Sequence, residues 1–286
     1  MAEPPSAEEN RQRDHEYRQE CLRSFPFELI EMTGEQALSR WEELKRSGRG
    51  IPVVLGDDEH LWTLAEPFHP RCPRQRTAAE ILEAADHLNH PQDLARRRLV
   101  EEEEAVAFLR RYSQEHAVPT VDPDRHPEGL RNRAQEDSIL AMLQGFKPDI
   151  GEWPQYVPPA PELTLAYDIR TGQPLEKLYL ALIPSDEWAT VPAHLLWGGW
   201  NACPDPEYHV AAFRSWRRRF DTELVGIGGD TLNLKVGRRP ATRDAAMELA
   251  REQYLYCNDI VDQGLGSLEA LAASLMEADW WFFWWD

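Results

Sequence analysis

The chain ends in the run Trp280-Trp281-Phe282-Phe283-Trp284-Trp285-Asp286. Six aromatic side chains within seven residues would expose a large apolar patch if this segment were a loose tail. The run is also far too short to cross a bilayer. It therefore predicts a strand buried on both faces, which we expect to be the central strand of the last domain.

A second stretch upstream combines tryptophan with glycine, Trp197-Gly198-Gly199-Trp200-Asn201-Ala202-Cys203-Pro204, and is called here the Trp–Gly corner. The short apolar run at residues 194–197 predicts a strand. Asp205-Pro206 predicts a helix start, with an N-cap acceptor followed by proline at the first helical position. Apolar residues at steps of three or four then predict one buried helical stripe. Its members are Val210, Phe213, Trp216 and Phe220.

The remaining residues between the corner and the chain end predict a hairpin and two helices. Residues 222–227 and 231–236 flank Gly228-Gly229-Asp230, which is typical of a tight turn. Thr242 and Ser267 are suited to cap the helices that follow. The resulting order β-α-β-β-α-(α)-β is that of the ferredoxin-like, split βαβ arrangement. The predicted fold class is α+β, with a ferredoxin-like C-terminal domain and an α/β-rich N-terminal domain.

The pattern along the chain predicts four regions. Residues 25–32, 34–47 and 51–57 predict a β-α-β opening, and residues 163–169 with 178–183 predict a hairpin that extends the C-terminal sheet. A short helix is also expected at 136–143. The regions are a mobile tail at 1–20, an N-terminal α/β module at 21–116, a Pro-rich linker or arm at 117–161, and a C-terminal domain at 162–286.

Composition limits the classes of function. The net charge of −19 argues against a general nucleic-acid binder, which would carry a basic stripe, and permits binding to a basic protein. Four widely spaced cysteines without a CxxC pair do not form a secreted disulfide framework. The amino terminus lacks an apolar signal region, and no stretch is long enough to span a membrane. A cytoplasmic protein with reduced thiols is expected.

The candidate binding pocket combines the Trp–Gly corner with the segment around Cys257. Two glycines beside two indoles let a ligand approach the backbone closely, and Asn201 can bind a ligand or cap a turn. The alternative is a purely structural corner. The candidate residues are Trp197, Trp200, Asn201, Cys203, His209, Asp230, Tyr254, Cys257, Asp259 and Asp262.

The cysteines and histidines allow two kinds of chemistry. His194, Cys203, His209 and Cys257 are of the right types for zinc, but their spacing matches no standard pattern, so no metal and no cofactor are predicted. A nucleophilic set could be drawn from Cys203, His209 and Asp205, or from Cys257 and Asp259. The thiolate of Cys203 would be favoured near the predicted helix start. Buried structural thiols are the alternative. Catalytic residues stay unassigned.

Several motifs together resemble the domain of unknown function DUF4253, over about residues 184–286 and more weakly at residues 52–56. The motifs are Pro192-Ala193-His194, Gly198-Gly199-Trp200-Asn201, Cys203-Pro204, Gly229-Asp230-Thr231-Leu232, Ala250-Arg251-Glu252-Gln253-Tyr254, Tyr256-Cys257, Asp259-Ile260-Val261 and Phe283-Trp284-Trp285-Asp286. The resemblance implies no activity and transfers no catalytic residue.

The leading hypothesis for function is a cytosolic binding or interaction module that recognises a protein partner, of the immunity or accessory type. No nucleic-acid or membrane partner is expected, and the residues leave the oligomeric state open. The alternative is an enzyme of unassigned class, with its pocket between the Trp–Gly corner and the segment Tyr256-Cys257-Asn258-Asp259. A third possibility is that the same residues only pack the interior and neither bind a ligand nor catalyse a reaction.

Overall fold

A computed structural model describes residues 6–72, 76–115 and 148–286. The helices among these residues are α1 Ala7–Ser24, α2 Ala37–Ser47, α3 Asp58–Ala65, α4 Ala78–Asp86, α5 Gln92–Glu115, α6 Val191–Leu195, α7 Pro206–Phe220, α8 Arg243–Tyr256 and α9 Leu268–Glu277. The strands are β1 Glu28–Met32, β2 Ile51–Gly56, β3 Leu178–Ile183, β4 Thr222–Ile227, β5 Thr231–Val236 and β6 Trp280–Trp284. A π-helical turn spans Ile260–Leu265.

The strands form one mixed sheet in the order β1-β3-β2-β4-β5-β6. β2 and β4 are parallel, and the other neighbouring pairs are antiparallel. The predicted α+β class is therefore confirmed. Strands from the first 60 residues alternate in this sheet with strands from the C-terminal region. The predicted division into a tail, a module, a linker and a domain stays a prediction.

The ferredoxin-like arrangement is not confirmed. β4 pairs with β2 from the N-terminal region instead of joining a self-contained C-terminal sheet. The strand predicted at residues 194–197 is also wrong, because the short helix α6 ends there at Leu195. Leu196 follows as its C-cap with a left-handed φ of 54°. Pro192 in the first turn favours that helix, and a short apolar run alone cannot distinguish helix from strand.

The aromatic chain end forms a strand as predicted, but its central position is wrong. β6 pairs with β5 and lies at one end of the sheet order. Trp281 and Phe283 are 3% and 0% exposed, whereas Phe282 and Trp284 are half-buried. An end strand retains such burial here because the helices cover one of its faces and the π-helical turn lies close to it.

The hairpin predicted from residues 163–169 and 178–183 is wrong. Thr164–Ala166 is a 3₁₀ turn, and Tyr167 bridges Pro174 at a single position. β3 pairs instead with β1 and β2. The side chain of Asn233 on β5 holds this segment across the sheet, since its Oδ1 accepts from Thr164 Oγ1 at 3.0 Å and its Nδ2 donates to the Glu162 carbonyl at 3.1 Å. A long-range contact therefore overrides the local strand pattern.

Most other local predictions are confirmed. The elements β1, α2, β2, α7, β4, β5, α8 and α9 lie where the patterns place them. Thr242 and Ser267 accept hydrogen bonds from the backbone amides three residues later, as N-caps do. Ala7–Ser24 forms a largely exposed helix that overlaps the region for which a mobile tail was predicted. The helix predicted at 136–143 lies outside the described residues.

The main core lies between the sheet and the C-terminal helices. Trp216 of α7 stacks on Phe283 of β6 with ring centroids 5.5 Å apart and planes within 2°. Tyr256 at the end of α8 meets both rings edge-on, at 4.8 and 5.2 Å. The opposite face of the sheet is covered by α2, where Trp41 packs with Val54. The chain end therefore organises the larger core, as its aromatic content indicated.

Candidate functional site

The Trp–Gly corner is built from backbone conformations that glycine permits. Gly198 and Gly199 have φ angles of 123° and 85°, and Asn201 has a φ of 48°. A Cβ at Gly198 would lie 2.3 Å from the Pro204 carbonyl oxygen, so a side chain has no room there. The amide of Gly199 donates to that same carbonyl at 2.9 Å. The glycines therefore let the chain fold back on itself, which accounts for both of them structurally.

Beneath the corner lies a buried polar cluster of Cys203, His209 and Tyr256, called here the His209 cluster. The Cys203 sulfur lies 3.4 Å from Nε2 of His209, and the Tyr256 hydroxyl lies 2.5 Å from Nδ1. His209 and Tyr256 are 0% exposed, and Cys203 is 4% exposed. Burial lowers the pKa of His209 to about 3, so the ring is neutral at pH 7. The Tyr256 hydroxyl then donates to Nδ1, and the Nε2 proton faces the Pro204 carbonyl.

The thiols in and near this cluster are poor nucleophiles. Burial raises the pKa of the Cys203 thiol far above its usual range and raises the pKa of Cys257 to about 12. The Cys257 thiol donates to the Trp284 carbonyl at 2.9 Å. A cysteine nucleophile reacts as the thiolate, which both environments disfavour. This geometry favours the buried structural thiols among the alternatives considered for Cys203 and Cys257.

A second buried polar group centres on Glu252 and was not singled out from the sequence. Its carboxylate is 6% exposed and accepts from Trp216 Nε1 at 2.6 Å and from Arg219 Nη1 at 2.6 and 2.8 Å. His90 Nε2 lies 3.0 Å from the same carboxylate. Burial raises the pKa of Glu252, but His90 and Arg219 outweigh it and hold the pKa below its usual value. The signal in the sequence was the position of Glu252 within the motif Ala250-Arg251-Glu252-Gln253-Tyr254, which does not show that its carboxylate is buried.

The acidic candidate residues near Cys257, Asp259 and Asp262, accept hydrogen bonds from other parts of the chain. Asp259 is 8% exposed, and its carboxylate accepts from the backbone amide of Asp286 at 3.0 Å and from Gln263 Nε2 at 3.1 Å. The Tyr254 hydroxyl donates to Asp262 at 3.2 Å, and burial with this carboxylate raises the pKa of Tyr254 to about 12. The structure does not bring these residues into the cleft that the corner lines.

Four of the ten candidate residues do line one open cleft, called here the aromatic cleft: Trp197, Trp200, Asn201 and Asp230. The cleft has a volume of about 600 Å³ and lies where β2, β4 and β6 end. Because these three strands run in the same direction, their carboxyl ends meet at one edge of the sheet. Ligands of open α/β sheets commonly bind at such edges.

The lining of the aromatic cleft is both aromatic and acidic. The Trp197 ring lies edge-on to Trp200 at 5.0 Å and to Trp285 at 5.5 Å. Acidic residues on the lining are Glu59, Glu66, Asp230 and Asp286. Of these, Glu59 pairs with Arg18 at 2.6 Å, whereas Asp230 and Asp286 are exposed. Trp197 and Trp285 are 3% and 2% exposed, whereas Trp200 is half-buried, so Trp200 offers most of the aromatic surface. An aromatic ring beside carboxylates suits a cationic group.

His60 is a member of the site that the sequence analysis missed. It follows β2 on α3, and its Nδ1 accepts the backbone N–H of Gly229 at 3.0 Å. Its ring is so close to Gly56 and Gly228 that a Cβ at either would lie within 2.8 Å of ring atoms. His60 therefore joins the ends of the two parallel strands and lines the cleft between them. Only the pairing of β2 with β4 reveals this role, because the two strands are distant in the sequence.

Comparison with known proteins identifies a domain at the end of the chain. The family model described as Domain of unknown function (DUF4253) matches residues 179–286, which confirms the resemblance predicted from the motifs. A search of curated proteins and a search of solved structures each gave no match. Within the described ranges, no helix is long and apolar enough to cross a membrane. Those ranges also contain no group of three side chains placed to hold a metal ion.

Proposed function

We propose that the DUF4253 domain at residues 179–286 works, together with the N-terminal strands in its sheet, as a binding module that recognises a protein partner through the aromatic cleft. The observation that carries the proposal is the contrast between two sets of candidate residues. Trp200, Asn201 and Asp230 line an open, acidic cleft, whereas the thiols of Cys203 and Cys257 are sealed. The accessible residues can bind a partner through aromatic, amide and carboxylate groups, but they include no activated nucleophile.

The cleft suits a lysine or arginine side chain of the partner. The indole of Trp200, which is half-buried, attracts such cations, and exposed carboxylates at Asp230 and Asp286 add charge of the opposite sign. The net charge of −19 raises the rate at which a basic partner would meet this surface. The same charge supports our proposal that nucleic acid is not a ligand. The widely spaced cysteines without a CxxC pair support our proposal that the protein works in the cytoplasm.

The test is a quantitative pull-down from cells that naturally make the protein. The cleft variant is Trp200→Ala, and the matched control is Tyr156→Ala, an aromatic residue that is 73% exposed and away from the cleft. We expect a stoichiometric partner with the wild type and the control, and at least a tenfold loss with the cleft variant. Circular dichroism must show cooperative melting for both variants. Recovery of the protein alone, or equal recovery by both variants, would refute the proposal.

An enzyme of unassigned class is the second candidate, and His60 is the observation that favours it. This ring lines the cleft and its Nδ1 accepts a backbone N–H, which leaves Nε2 as the protonated nitrogen of the neutral ring. If the cleft is catalytic, Asn201→Ala should keep the fold and abolish turnover of a cleft substrate. Cys203→Ala should instead lower the melting temperature, since its thiol is sealed. Unchanged turnover in Asn201→Ala would remove this candidate.

A further inference from the structure

A second depression adjoins the aromatic cleft and is called here the edge groove. It has a volume of about 1050 Å³ and lies between residues 161–175 and β6. His60 and Asp230 line both the groove and the cleft, so the two depressions are neighbours. One wall is formed by Phe282 and Trp284, which stack with centroids 4.9 Å apart and planes within 22°. Both rings are half-buried and thus offer apolar surface to the groove.

The opposite wall carries apolar side chains with much of their surface exposed. Ile169 is 95% exposed and Tyr167 is 46% exposed, and both line the groove. The turn that bears Ile169 is ordered, because the Asp168 carboxylate accepts from the amides of Arg170 and Thr171 at 2.9 Å. A well-ordered turn that presents an isoleucine to solvent beside an aromatic pair has the character of an interaction surface.

The rim of the groove is acidic. Carboxylates at Asp57, Glu162, Asp168 and Asp230 surround the apolar walls. Backbone hydrogen bonds from Thr171 and Arg170 hold the pKa of Asp168 below its usual range, so this group is ionised at neutral pH. The guanidinium of Arg170 lies 3.7 Å from the same carboxylate, which offsets part of its charge. The groove is therefore complementary to an apolar side chain flanked by positive charge.

We propose that the edge groove takes an extended segment of the protein partner that places an aliphatic or aromatic side chain against Phe282 and Trp284, with lysine or arginine on either side. This inference rests on the proposed function and specifies the chemistry of the partner. Because Asp230 lines both depressions, a flanking cation of the same segment can pair with this carboxylate at the border of the aromatic cleft. The groove volume of about 1050 Å³ slightly exceeds the roughly 300–1,000 Å³ typical of small-molecule pockets, which leaves room for a side chain and part of a peptide backbone.

The experiment selects a displayed library of random ten-residue peptides on the immobilised full chain. Enriched peptides are then synthesised with a fluorophore, and their affinity is measured by anisotropy. The groove variant is Ile169→Asp, and the matched control is Ile150→Asp, an isoleucine that is 58% exposed and away from the groove. We expect enriched sequences with an apolar residue beside lysine or arginine. Their affinity should fall at least tenfold for the groove variant and stay unchanged for the control.

Three outcomes would overturn the inference: no enrichment, enrichment of acidic or wholly polar sequences, or equal affinity for Ile169→Asp and the wild type. The two proposals separate in the pull-down. A partner lost with Trp200→Ala but kept with Ile169→Asp supports the proposed function and overturns the groove inference. A partner lost with Ile169→Asp but kept with Trp200→Ala supports the groove and overturns the cleft as the recognition site.

Discussion

Replacing Tyr256 with phenylalanine removes one oxygen atom from the centre of the His209 cluster. The lost hydroxyl donates to His209 Nδ1 at 2.5 Å, and both side chains are 0% exposed. Water cannot reach Nδ1 to take the place of the hydroxyl. The phenylalanine ring keeps the edge contacts with Trp216 and Phe283, so packing changes little. The substitution therefore isolates one buried hydrogen bond.

The expected loss of folding free energy is therefore that of one buried hydrogen bond. Leaving a buried acceptor without its donor costs about 1–3 kcal/mol of folding free energy. The matched control is Tyr254→Phe, two residues earlier on α8, where the hydroxyl donates to the exposed carboxylate of Asp262. Water can replace this hydroxyl, so we expect a change within about 0.5 kcal/mol.

The assay is urea unfolding followed by tryptophan fluorescence, which reports on the 11 tryptophans of the chain. With an m value of about 3 kcal/mol/M, Tyr256→Phe should lower the midpoint by roughly 0.3–1 M and leave m unchanged. Equal midpoints for Tyr256→Phe and Tyr254→Phe would refute the reasoning, because the hydroxyl of Tyr256 would then not be a sealed donor.

Further predictions concern the core, the pH dependence and the Glu252 group. Phe283→Ala should cost about 3–5 kcal/mol in thermal melting, and Phe282→Ala clearly less, because the first ring is fully buried and the second is half-buried. His209 has a folded pKa of about 3, below its unfolded value of about 6.5, so the unfolded state binds the proton first between these values. Stability should therefore fall as pH drops below about 6.5, by up to about 1.4 kcal/mol per pH unit, and urea midpoints at pH 7 and 5 should differ less in His209→Gln. Glu252→Gln should cost about 1.5–3 kcal/mol by the same assay, against no measurable change for the exposed Glu248→Gln on the same helix; equal effects would contradict the buried role of Glu252.

Elements specified by neighbouring residues could be predicted from the sequence. Thr242 and Ser267 cap α8 and α9 because a hydroxyl and an amide three residues apart meet in any helix start. The β4–β5 hairpin follows from two alternating runs around Gly228-Gly229-Asp230. These features depend on contacts between residues that are close along the chain, and such contacts are present in almost any tertiary fold.

The candidate site could be predicted only in part. Trp200, Asn201 and Asp230 were singled out, and the structure brings them to one cleft. His60 was missed because its role depends on the parallel pairing of β2 with β4, which no local pattern encodes. Cys203 was placed near a helix start correctly, but the sequence left its protonation state open, since burial sets that state and burial is a property of the packed chain.

The amino-acid pattern by itself determined that the chain end is a buried aromatic strand and that a helix-rich α+β region precedes it. Tertiary structure alone decided that this strand lies at the end of the sheet and that N-terminal strands enter the same sheet. It also decided that the thiols of Cys203 and Cys257 are buried, whereas Trp200 and Asn201 line an open cleft. The physical reason is the sequence separation over which each kind of interaction acts. Hydrophobic periodicity and caps act over a few residues, whereas strand order and desolvation depend on groups that meet only after the whole chain has packed.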